Sequence, residues 1–226
     1  MSRFFAAVLL LVTGITLILT VTFGLPRRLD TRPAAVWMFR NADGSPCATP
    51  CLFGIRPGVT PYNEALMILR QHPLTRDLAL SPSITNNGVL LNGEGVAVAV
   101  RRDAYGVLAS VALEINPIHL RSVTNLPYSP LRGLVYADMV AALGAPDYVE
   151  FSSVGQGPVV YSYYQAQALR FIHVRPDLEG QERLYPELPL FLVFMNRESL
   201  DTRPNLFSWI GYSSLERYFF NAPRTQ

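Results

Sequence analysis

Cys47 and Cys51 are the only cysteines of the chain, set four residues apart in Ser45-Pro46-Cys47-Ala48-Thr49-Pro50-Cys51. Three chemistries are open to such a pair. Pro46 and Pro50 restrict the backbone and keep the thiols close enough to bridge. A disulfide closing so short a loop contributes about 2 kcal/mol in the chain-entropy treatment. It would pin the loop that enters the folded domain, and its persistence belongs to an oxidising compartment. Alternatively, two thiols make half a zinc site, but His72, His119 and His173 lie far apart without ligand spacing. A redox pair favours Cys-x-x-Cys at a helix start, whereas three residues intervene here. The spacing favours the structural bridge over free thiols or a metal or redox site.

Catalytic constellations are not found. The sequence has no Gly-x-Ser-x-Gly elbow, Walker loop, His-Glu-x-x-His or dinucleotide fingerprint. Gly93-Glu94-Gly95 and Gly155-Gln156-Gly157 read as hairpin turns, since neither opens a helix that could cradle phosphate. No enzyme activity, cofactor or metal is therefore expected. The rival reading is a hydrolase whose site assembles from dispersed residues such as His173, Asp138, Asp147 and Glu150.

A binding surface is the stronger candidate. In Phe171-Ile172-His173-Val174-Arg175, alternation puts Ile172 and Val174 on one face and Phe171, His173 and Arg175 on the other. With Ile172 and Val174 buried, the second set faces outward. The neighbouring strand adds either Tyr161 and Tyr163 or Ser162 and Tyr164. Tyr161, Tyr163, Phe171, His173 and Arg175 form the candidate partner-binding face, a composition that suits a protein hot spot. The plainer reading is an ordinary half-buried aromatic sheet.

The elements that must position these residues follow from patterning. Phe4–Leu25 carries no charged side chain. As a helix it would extend about 33 Å, enough for a hydrocarbon core. Arg3 precedes it, and Pro26, Arg27 and Arg28 stop it. A core helix of that length would show a polar stripe, so a single-pass membrane anchor is expected. The run exceeds a signal-peptide core and no clear cleavage site follows, which favours retention. Arg27, Arg28 and Arg32 do not by themselves place the C-terminal part outside. The cysteines do, so an extracytoplasmic domain is expected.

Residues 26–50 read as a tether, in which Ala35-Val36-Trp37-Met38-Phe39 is a short strand or a plug. Thr60 is a natural N-cap, with Pro61 at the first helical position and Glu64 near the capping-box offset. Ala65, Leu66, Ile68 and Leu69 give that helix its apolar face, and His72-Pro73 ends it. Val96–Val100 and Val107–Ile115 follow as strands around the turn Arg102-Asp103-Ala104-Tyr105-Gly106. The order then recurs. Gly133–Leu143 reads as a helix stopped by Gly144-Ala145-Pro146, before strands at Tyr148–Phe151, Val159–Tyr164 and Leu169–Val174. The helix starts near Pro61 and Gly133 lie about 72 residues apart, which suggests two copies of one small module. Leu188–Met195 reads as an apolar strand, and the aromatic tail from Phe207 to Phe220 as closure of the core.

The expected fold class is thus α+β: a transmembrane helix (1–25), a tether (26–50), a first helix-plus-antiparallel-meander module (51–116), a linker (117–131), and a second module with its C-terminal extension (132–226). Formal net charge is only +2 and all nineteen basic residues are Arg. They are scattered rather than clustered, so nucleic acid is not an expected partner.

Leu134-Val135-Tyr136-Ala137-Asp138-Met139-Val140-Ala141-Ala142-Leu143-Gly144-Ala145-Pro146 resembles the helix-to-Gly-x-Pro signature of small envelope modules of the BamE (SmpA/OmlA) type. Arg56-Pro57-Gly58-Val59-Thr60, with Glu64, Ala65 and Leu69, looks like the Gly-x-Thr helix entry of the same modules. Pro46-Cys47 through Pro50-Cys51-Leu52-Phe53-Gly54-Ile55 is similar to a motif in membrane-anchored bacterial envelope proteins that carry them. The resemblance covers residues 46 to 175. It implies modules that assist outer-membrane protein assembly or bind other proteins. In tandem they also resemble the β-lactamase-inhibitor protein architecture, in which a concave sheet grips a partner. The chain lacks the lipidated cysteine of the assembly lipoproteins, so a role in outer-membrane assembly is not carried over. An envelope protein partner and no catalysis are what the resemblance implies.

Overall fold

Val96-Ala97-Val98-Ala99-Val100 alternates large and small apolar residues, which a strand turns into two unlike faces. A computed structural model describes residues 32–82, 87–116, 125–153, 158–174, 183–196, 206–214 and 217–218. Its strands are β1 (Ala79–Pro82), β2 (Gly88–Gly93), β3 (Val96–Arg102), β4 (Leu108–Ile115), β5 (Tyr148–Ser153), β6 (Pro158–Tyr164), β7 (Leu169–Val174), β8 (Leu192–Asn196) and β9 (Phe207–Ser208). They form one nine-stranded sheet in the order β1-β2-β3-β4-β8-β7-β6-β5-β9. Every pairing is antiparallel.

The expected architecture is corrected by this sheet. Two separate helix-plus-meander modules would each close their own strands, but β4 pairs with β8 through Ser110↔Asn196, Ala112↔Phe194 and Glu114↔Leu192. The sheet therefore runs unbroken from the first half of the chain into the second. Long-range pairing of this kind leaves no local pattern, because a strand's alternation does not say which partner it takes. Phe4–Leu25, expected to span a membrane, lies outside the described residues. Among the described residues no helix is long and apolar enough to cross a membrane. The expected transmembrane helix and single-pass membrane localisation are corrected accordingly.

Directly opposed residues of neighbouring strands share a face. The row Val98–Leu113–Val193–Phe171–Ser162–Val149 is fully buried. Helices α1 (Arg32–Met38), α2 (Tyr62–Gln71) and α3 (Tyr136–Leu143) all deliver side chains to that side. Ala34, Ala35 and Met38 of α1, Ala65 and Leu69 of α2, and Met139 of α3 join the core of Val96, Val98, Val100, Leu113 and Phe171. A second cluster of Tyr136, Val149, Val160, Leu184, Leu188 and Tyr218 extends it under β5 and β6. Trp209 and Tyr212 meet the Tyr136 ring edge-on at 5.6 and 5.8 Å, so the aromatic tail lies against this cluster.

Part of the expected tether is core. Ala35–Met38 is helical rather than a strand, because Ala34, Ala35 and Met38 fall on one side of a helical turn and bury there. Thr60 does not cap α2 with its side chain. Its Oγ1 accepts the Arg56 N–H at 3.0 Å and closes the preceding turn. Nor does α3 begin at Gly133. Pro130–Gly133 is a 3₁₀ turn, and α3 starts at Tyr136 with the Asp138 carboxylate accepting the Val135 N–H at 3.0 Å.

His72 joins α1 to the end of α2. It is fully buried, with Nδ1 accepting the Leu74 N–H and Nε2 at 3.2 Å from the Trp37 carbonyl. An Nδ1 facing a donor must be unprotonated, so Nε2 carries the hydrogen and donates it. Burial lowers the imidazole pKa from its ordinary 6.5, outweighing the carbonyl of Trp37, which raises it. Above that value folded and unfolded chains are both neutral at this site. As pH falls through it, the unfolded chain takes up a proton that the folded chain refuses, and stability declines until the depressed folded pKa is reached. Urea titrations between about pH 7.5 and 5.5 will show this loss, and His72→Gln will flatten the pH slope. An unchanged slope in that variant would assign the loss to other groups.

Candidate functional site

Opposite the core, cross-strand register lays out a second face on which no described helix lies. One row runs Ala99–Ala112–Phe194–Arg170–Tyr163–Tyr148–Ser208. The adjacent row runs Ala97–Glu114–Leu192–Ile172–Tyr161–Glu150. Over β3 and β4 the floor is mostly small, and over β8, β7 and β6 it becomes aromatic.

Arg170 of β7 stands at the centre of the aromatic part. Its guanidinium carbon lies 5.7 Å from the Tyr161 ring centroid and 5.4 Å from that of Phe194. Aromatic faces on both sides attract the cation and restrict the plane of the fork. Arg170, Tyr161 and Phe194 are all half-buried. The Arg170 Nε is shielded from solvent and has no hydrogen-bond partner among the described residues. Among the described residues no carboxylate forms an ion pair with Arg170. Beside it, the buried Tyr163 donates its hydroxyl hydrogen to Glu150. Tyr161 and Tyr163, two residues apart on one strand, stack with centroids 6.4 Å apart at an interplanar angle of 25°.

The five residues expected to share a partner-binding face do not all do so. Tyr161 and Tyr163 oppose Ile172 and Arg170, whereas Phe171 opposes Ser162 and belongs to the other face. Phe171 is fully buried against Tyr164, their centroids 5.1 Å apart, while Ile172 is only half-buried. The premise that Ile172 points inward is thus reversed. Alternation fixes which residues travel together but not which set meets the helices. His173 occupies the strand position opposite Val160, and Arg175 lies outside the described residues. Sequence reasoning missed Arg170 and Phe194. A signal for the first exists in the hairpin itself: Tyr164 pairs with Leu169 around Gln165–Ala168, and counting back from that loop sets Tyr163 against Arg170.

The carboxylates of the rival site have separate occupations. Asp138 holds the start of α3, and Asp147 accepts the Gln165 N–H at 2.7 Å. Glu150 accepts the Tyr163 hydroxyl on the helix-free face. His119 lies outside the described residues, and His72 is committed to α1. Among the described residues no three of His, Cys, Asp and Glu gather as metal ligands.

Cys47 and Cys51 form the expected disulfide, with a Cα–Cα distance of 6.2 Å. Cys51 is buried and Cys47 half-buried. The bridged loop walls a cleft of about 330 Å³, lined also by Phe39, Ala142, Leu143 and Leu169. Replacing both cysteines by alanine will lower unfolding free energy by about 2 kcal/mol, since the loop closed is short. Denaturant unfolding under oxidising conditions measures this, and equal midpoints for the two proteins would deny the bridge a stabilising role.

No family model, curated protein or solved structure matches the chain.

Proposed function

We propose that the chain is a non-catalytic protein-binding module that engages its partner through the helix-free face of β5 to β8. The Arg170 guanidinium held between Tyr161 and Phe194 is the observation that carries this reading. A sheet face turned to water ordinarily alternates polar residues outward. Here Leu192, Phe194, Ile172 and Tyr161 occupy outward positions and stay half-buried. Arg and Tyr are the residue types enriched where protein interfaces concentrate their energy. The resemblance of the Leu134–Pro146 and Arg56–Thr60 segments to BamE-type modules, whose members bind other proteins, points the same way.

A hydrolytic reading would need His173 to meet a carboxylate and a nucleophile in a deep pocket. The occupations of Asp138, Asp147 and Glu150 weigh against it.

Affinity capture from extracts of the source cells, run in parallel with the full chain and its Tyr161→Ala/Phe194→Ala variant, tests the proposal. A protein retained by the first and lost from the second is the expected result. Retention by both, or by neither, overturns it.

A further inference from the structure

Among the described residues, Arg170 on the helix-free face forms no ion pair. Glu150 is engaged by the Tyr163 hydroxyl, and Glu114 lies in the row of Leu192, joined to Arg170 by no ion pair among the described residues. We propose that Arg170 receives a carboxylate, the Asp or Glu side chain of a protein partner, presented beside an apolar residue that packs on Phe194 and Leu192. This rests on the binding face proposed above and names what that face recognises.

Three observations converge on a carboxylate. First, the rings of Tyr161 and Phe194, 5.7 and 5.4 Å from the guanidinium carbon, hold the fork before any partner arrives. Little side-chain freedom is then lost on binding, and the planar donors match a carboxylate two-for-two. Second, no carboxylate among the described residues pairs with the Arg170 guanidinium. A partner carboxylate set against the two terminal nitrogens supplies the opposite charge through paired N–H···O bonds. Third, the neighbours Leu192, Phe194 and Ile172 are apolar and half-buried. Apolar surroundings strengthen a charge pair when they close over it. They also select an acid flanked by a hydrophobic side chain over a fully hydrated one. A nucleic-acid backbone is a poor fit, because it is gripped by several cations along a track, and neither the row of Arg170 nor that of Ile172 contains a second one.

Panning a phage library of random twelve-residue peptides on the full chain tests the assignment. The enriched peptides will share an Asp or Glu next to a bulky apolar residue. Synthetic copies will bind Arg170→Met at least about tenfold more weakly than the parent. Asp→Asn or Glu→Gln in the peptide will weaken binding similarly, and combining both changes will add little, as one shared interaction requires. Arg170→Lys, which keeps the charge but not the fork, will fall between the two. Arg76→Met, at an exposed site near the end of α2, will bind like the parent. Acidic peptides that bind Arg170→Met as well as the parent, or an absence of enrichment, overturn the proposal. If neutral peptides emerge and Phe194→Ala abolishes their binding, the carboxylate assignment fails while the face stands. If Phe194→Ala leaves the peptides bound, both fail.

Discussion

Phe171→Ala will cost about 3–5 kcal/mol of unfolding free energy, the range for truncating a fully buried aromatic ring. Phe171 is without exposure, opposes Val193 and Ser162, and meets Tyr164 edge-to-face. Its neighbours belong to strands paired on both sides, so they cannot collapse freely into the space left behind. Phe194→Ala removes the same ring from the adjoining strand, but from a half-buried outward position. That loss will be about 1 kcal/mol, most of it the contact with Arg170. Denaturant unfolding of the two variants measures the difference. A reversed order would mean that β7 and β8 present the opposite faces to the helices, since a one-residue slip exchanges every side chain.

Tyr161→Ala combined with Phe194→Ala will weaken partner binding about 100-fold or more while leaving the fold intact. Each ring alone holds one side of Arg170, and removal of both frees the guanidinium to sample rotamers that must be fixed again on binding. The two effects overlap on one cation, so their sum will exceed the loss in the double variant. Isothermal titration with the captured partner, set beside unfolding midpoints, separates lost contact from lost structure.

Much of the local structure was legible. The Val96–Val100 alternation, the α2 face of Ala65 and Leu69 and the stop at Gly144 all rest on short-range sterics and burial. Gly144 takes a φ of +84°, where glycine meets no Cβ penalty. What stayed hidden depends on distant partners. The pairing of Ala112 with Phe194 joins segments some eighty residues apart in sequence, and it alone turns two expected modules into one sheet. The α1 helix was obscured because its flanks look like linker and only its packing against α3 and the sheet explains Ala34, Ala35 and Met38. The helix-free face was half legible. The spacing of two sets Tyr161 and Tyr163 on one face, but alternation alone does not decide that Phe171 rather than Ile172 meets the core.

The most direct measurement is placement of the photocrosslinker benzoylphenylalanine at one outward sheet position and one outward helix position, with the partner bound. Phe194 marks the helix-free face. Met67, exposed on α2, marks the opposite side of the molecule. Crosslinking from position 194 with none from position 67 is the expected outcome. Crosslinking from position 67 with none from position 194 would move the partner to the helical side and contradict the assignment of the sheet face.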